Sequence, residues 1–254
     1  MKNWVNKRKQ SISEKVEAKR KAKEALEELE KAEELTESEE TNELVDNDEQ
    51  VEGEKEEFES FFKEVLNKFP KKISATILST YDKSKAQAEK ILENSKSQFD
   101  EIFDVFLEGV DEETKRKTHA TVHAASLTAA IVGCSPIPFS DAFLLVPIQL
   151  PMMGRLHKIF GRKFSENLGE SLTRELVIVS LGRGAVGNLM KFIPAVGTVA
   201  GAAINAVVAS TITQALGWVT VKMLNDGEDI FEDVMSFKGQ FNMLFNALKD
   251  SDKS

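Results

Sequence analysis

Hydrophobic positions recur along most of this chain at helical spacing, and almost nowhere at the two-residue spacing of a strand. Phe58, Phe61, Phe62, Val65, Leu66 and Phe69 mark one apolar face, interrupted by Pro70. Ile73, Ile77, Tyr81, Ala88, Ile91, Leu92, Phe99, Ile102, Phe103, Phe106 and Val110 then continue a single face. It predicts a helix of about 40 residues, roughly 60 Å long at 1.5 Å per residue. A helix of that length calls for an equally long partner, either a coiled-coil mate or a membrane surface. A last amphipathic helix is predicted over Asp229–Leu248, from Ile230, Val234, Phe237, Phe241, Leu244, Phe245 and Leu248.

Between these lie two blocks without a polar face. Ala120–Ser140 and Ala142–Gly154 carry no Asp, Glu, Lys or Arg, and Phe192–Val221 is a further 30 residues without charge. That exceeds the ~20 residues needed to cross a bilayer core. Thr198, Asn205, Ser210, Thr211, Thr213, Gln214 and Thr220 make insertion marginal. Gly197, Gly201, Asn205, Ala209, Thr213 and Gly217 fall on every fourth position, and Thr121, Ala125, Ala129 and Gly133 do the same in the first block. Such bare faces let helix backbones approach closely, in lipid or in a tightly packed soluble core. The sequence leaves both environments open.

Pro136 and Pro138 break the first block, Ser140 or Asp141 would cap the next helix, and Gly161 would end it in a left-handed conformation. The expected architecture is therefore all-α. Long amphipathic helices would pack around two apolar, Gly/Ala-rich helical hairpins over 120–154 and 192–221. Each arm beside the prolines spans about 16 residues, short for a full crossing but suited to a re-entrant hairpin. Lys115, Arg116, Lys117 and Arg155 flank the first hairpin and would hold both ends on the cytoplasmic side.

Charge divides the 254 residues unevenly. Residues 1–118 hold 22 Lys and Arg against 31 Asp and Glu, so the whole net charge of −9 lies there. That acidic excess disfavours nucleic acid as a partner. Residues 1–57 read as a charged arm: a single helix or short coiled coil over Ser11–Leu35, then a disordered acidic linker over Thr36–Glu57. The helical domain would occupy 58–250. No signal peptide is expected, because the basic start runs into charged rather than apolar sequence. One cysteine excludes a disulfide framework.

His123-Ala-Ala, then Ser135-Pro-Ile-Pro-Phe-Ser-Asp141, Gln149 and Ile159-Phe-Gly161, resemble the YcjF-like, GTPase-associated domain family of unknown function. So does Lys191-Phe-Ile-Pro194-Ala-Val-Gly197-Thr-Val-Ala-Gly201; the resemblance covers roughly 117–224. It implies an all-helical, membrane-associated domain, often attached to or encoded near a small GTPase, with no catalytic residues. No phosphate-binding Gly-x-x-x-x-Gly-Lys-Ser/Thr loop is present, so GTP binding by this chain itself is not expected.

Catalytic lookalikes are weak. Gly182-Arg-Gly184-Ala-Val-Gly187 fits a dinucleotide fingerprint after the strand-like Leu176–Leu181, but no acidic residue follows before Asp226. His119 and His123 share a helix face without the glutamate of a zinc protease. A hydrogen bond from His123 to Asp141 across the proline turn is an alternative role. Cys134 and Met152–Met153 read as packing residues.

The expected protein is non-enzymatic, without metal or cofactor. It would be an interaction or regulatory module at the cytoplasmic face of the cell membrane, with lipid, a separate small GTPase and further copies of itself as partners. His123, Pro136, Pro138, Asp141, Gln149, Gly161, Pro194, Gly197 and Gly201 are its candidate interaction and structural positions. The competing reading is a soluble adaptor, toxin or defence component that hides both apolar blocks until it meets a membrane or a GTPase.

Overall fold

The computed structural model of the protein describes residues 52–137, 144–182 and 200–250. Eight helices succeed one another there, with no strand among the described residues: α1 (52–68), α2 (Lys71–Ser79), α3 (Tyr81–Phe106), α4 (Glu112–Cys134), α5 (Val146–Ile159), α6 (Glu166–Gly182), α7 (Ala200–Asn225) and α8 (Val234–Asp250). The all-α expectation holds. Of the arm expected over 1–57, residues 1–51, with the coiled-coil reading, lie outside the described residues, whereas 52–57, expected as the end of a disordered linker, are the helical start of α1.

The two apolar blocks supply the centre. Every residue of α7 from Ala206 to Val221 is buried, and so is α4 from Thr118 to Gly133 apart from half-exposed His119 and exposed His123. Neither helix needs a polar face, because protein surrounds it. The two run antiparallel, with the His119 ring 5.3 Å from that of Trp218 and Gly133 against Ala206. A Cβ on Gly133 would fall 2.6 Å from Ala206 Cα, so the small-residue face is used for backbone-to-backbone packing. Several of their hydroxyls turn back onto their own helices. Ser126 donates to the Val122 carbonyl, Thr128 to Ala124, Ser210 to Val207 and Thr220 to Leu216, at 2.7–3.0 Å.

α5 packs parallel to α7. Gln149 Nε2 donates to Thr213 Oγ1 at 3.3 Å near one end, and Arg162 Nη2 donates to the Gly227 carbonyl at 3.2 Å beyond the other. The amphipathic helices wrap this centre and add Phe58, Phe61, Ile77, Ile91, Phe237 and Phe241 to one continuous core.

Three more expectations meet corrections. The 40-residue amphipathic helix is two helices. Thr80 leaves the helical region at φ −118°, ψ 8°, and its hydroxyl and that of Ser79 bond back to the carbonyls of Thr76 and Ile77. The bend brings Tyr81 within 5.1 Å of the Phe62 ring, so the chain follows a curved core instead of needing a partner of equal length. The strand-like Leu176–Leu181 is part of α6; tertiary context overrides β-branched propensity there. The second apolar block is one helix from Ala200 onward, and the start of its expected hairpin, 192–199, lies outside the described residues. The last helix starts at Val234, because the Asp233 carboxylate accepts from the Ser236 amide at 2.9 Å and caps it.

Candidate functional site

Most buried polar side chains among the described residues are Ser and Thr hydroxyls, so the amides, the imidazole and the half-buried guanidinium stand out. Arg155 on α5 reads one face of α1. Its Nη1 meets Glu57 Oε1 and its Nη2 meets Glu64 Oε2, both at 2.7 Å, with Ser60 Oγ at 3.4 Å. The guanidinium also lies over the Phe61 ring, 5.0 Å from its centroid. Glu57 takes a second hydrogen bond, from Thr121 of α4 at 3.0 Å. The Arg155 side chain is 23% exposed. Burial works against its charge, but the carboxylates of Glu64 and Glu57 outweigh that and raise its pKa above the usual range. The residue read from sequence as a membrane-flank cation is thus neutralised within the protein. Glu57, assigned to the arm, sits in the contact.

A second polar centre closes the end of α5. Gly161 has φ +65°; its amide donates to the Lys158 carbonyl and that of Arg162 to His157, as the left-handed stop predicted. Gly227 ends α7 in the same manner at φ +80°, and the Arg162 side chain ties the two stops together. Asn225 Nδ2 donates to the carbonyls of Phe106 and Glu108, both at 3.1 Å, and so caps the end of α3. Within this junction His157 is 2% exposed. Its Nδ1 lies 2.7 Å from the Met153 carbonyl, which can only accept, so the proton sits on Nδ1. Phe164 and Phe231 stack around the ring at 5.0 and 5.8 Å. Burial lowers its pKa, against opposing contributions from Met153 and Asp229.

Five of the nine sequence-selected positions lie among the described residues, and they are spread over several elements. His123 is exposed on α4 and Pro136 is exposed just after it, while Gly201 lies in the first turn of α7. Pro138, Asp141, Pro194 and Gly197 lie outside the described residues, as does any bond from His123 to Asp141. Gln149 is fully buried, and its Oε1 has no hydrogen-bond donor. Cys134 is half-buried, and burial pushes its thiol up to about 12, leaving negligible thiolate for nucleophilic chemistry. No three His, Cys, Asp or Glu side chains among the described residues gather as metal ligands. Sequence reasoning missed the Arg155 contact. The readable signal was a pair of carboxylates seven residues apart, Glu57 and Glu64, flanking an inward Phe61.

Residues 98–245 match the family model of a domain of unknown function, DUF697. Magnetosome membrane protein 22 of Magnetospirillum gryphiswaldense is 39% identical over 116 residues, covering 42% of this chain and 55% of that protein. The chain therefore spans about half the length of this curated relative. No solved structure matches. The matched span takes in Arg155, His157 and both central helices, and by it the chain belongs to the DUF697 family, a domain of unknown function.

Proposed function

We propose that this protein is a non-enzymatic, membrane-associated interaction module of the YcjF-like kind. It acts at the cytoplasmic face of the cell membrane, with a separately encoded small GTPase and further copies of itself as partners. The observation that carries the reading is the similarity to a relative described as a magnetosome membrane protein. Ala202–Asn225 is long and apolar enough to cross a membrane, at about 36 Å. The packed bundle adds a condition. Protein already buries 83% of the most apolar stretch of that helix, so lipid would meet it only after the bundle opened. That burial favours a second reading, in which the apolar helices stay hidden until a membrane or partner draws them out.

Cell fractionation tests this. The full chain is expected in the membrane pellet and, if α7 stays wrapped in protein, should be released by an alkaline carbonate wash. Resistance to that wash would instead support opening and insertion. Complete recovery in the high-speed supernatant as a monodisperse monomer would sink the membrane reading.

A further inference from the structure

We propose that the α4–α5 surface around Arg155 is a helix-docking site, filled here by the chain's own α1 and able to receive α1 of a second copy by exchange. Arg155 touches Glu57, Ser60, Phe61 and Glu64. These are positions i, i+3, i+4 and i+7, the register in which an amphipathic helix presents a single face to a groove. Two charge-assisted bonds fix the helix along its axis, and the aromatic contact fixes its rotation. The apolar residues on either side, Phe58, Phe62 and Val65, are all buried.

Acceptor and occupant fall on different sides of the family match. Arg155 and Thr121 belong to the span that matches the family, residues 98–245, whereas α1 lies outside it. Pro70 follows α1 in extended conformation at φ −55°, ψ 141° and has no amide hydrogen to carry the helix on into α2. A short break between two packed helices is the kind of hinge at which chains exchange elements. Exchange would remake every ion pair and aromatic contact between copies, without new chemistry. Lipid is the weaker occupant for this helix. Residues 52–68 carry six Glu against three Lys, and an acidic helix is repelled by anionic headgroups.

The inference gives the self-association proposed above a surface. It is read in solution without membranes, so it stands or falls apart from membrane attachment. The test reverses the charges in full-length chains. One variant carries Arg155→Glu, and the other carries Glu57→Arg with Glu64→Arg. Each alone sets like charges against one another. Co-refolded at equal concentration, they should form a 1:1 heterodimer, visible by native mass spectrometry, at least about tenfold above either homodimer. Combining all three substitutions in one chain should restore the helical signal and melting behaviour of the unmodified protein, which shows that the reversed contact can form. Separate chains or aggregates from the co-refolded pair, while the triple variant folds, would overturn the proposal. So would failure of the triple variant, because the contact would then not rest on this charge pattern.

Discussion

Gly133, Gly217 and Gly239 all sit in helices, and their surroundings alone set them apart. Nothing lies within 4 Å of a Cβ built on Gly239, so Gly239→Ala should stabilise the protein by about 0.5–1 kcal/mol through lower unfolded-state entropy. At Gly217 the added methyl would meet Met152 Sδ and a Val122 methyl, both at 3.1 Å. Methionine can yield and valine at its stiff χ1 cannot, so Gly217→Ala should end within about 1 kcal/mol of the unmodified protein. At Gly133 the obstacle is the backbone of Ala206, 2.6 Å away, and Gly133→Ala should cost about 2 kcal/mol or more. Denaturant unfolding should rank them 239, 217, 133 from most to least stable; Gly133→Ala matching Gly239→Ala would refute the close α4–α7 contact. Cys134 allows a chemical check at the same scale. With its thiol pushed up to about 12 by burial, alkylation in the native state should run at least about tenfold slower than in denaturant. Equal rates would mean that the end of α4 is open to solvent.

At the scale of elements, ends are as informative as faces. Gly161 closes α5 at φ +65°, and a Cβ added there would meet nothing within 4 Å, so Gly161→Ala tests backbone strain alone. It should lower stability by about 1 kcal/mol in thermal or denaturant unfolding, with helix content unchanged. No loss at all would mean that the stop is not left-handed in solution. This stop was legible in the sequence because it is local: an apolar periodic run, basic residues in the last turn, then glycine. The helical nature of 120–134, 146–154 and 200–221 was legible for the same reason. Their surroundings were not, since an uncharged helix reads alike whether lipid or protein covers it. The bend at Thr80 escaped because the apolar period runs straight through it, and the deciding contact, Tyr81 on Phe62, is tertiary. The Arg155 site escaped by sequence distance: its two carboxylates lie 98 and 91 residues away.

Across the whole molecule, one junction joins the connection after α5 to the connection after α7, and a buried histidine sits inside it. His157 is held neutral between Phe164 and Phe231, with Asp229 facing it from one connection and Arg162 leaving the other to grip Gly227. Its pKa is lower folded than unfolded, chiefly through burial. The unfolded chain therefore takes up a proton first as pH falls. The stability that this histidine contributes is complete above its unfolded pKa, near 6.5, and is lost as pH drops through the folded value. The carboxylates of Asp111, hydrogen-bonded by the Thr114 amide, and Glu113, paired with Lys117, are also lowered, but carboxylates lose their contribution only near pH 4 and below. The two windows are separable. The melting temperature should fall between pH 7 and pH 5, and His157→Phe, which keeps an aromatic ring in the cage and removes the titration, should flatten that part of the profile while leaving the drop below pH 4 intact. If the variant melts with the same dependence between pH 7 and 5 as the unmodified chain, the junction is not where acid first opens this bundle.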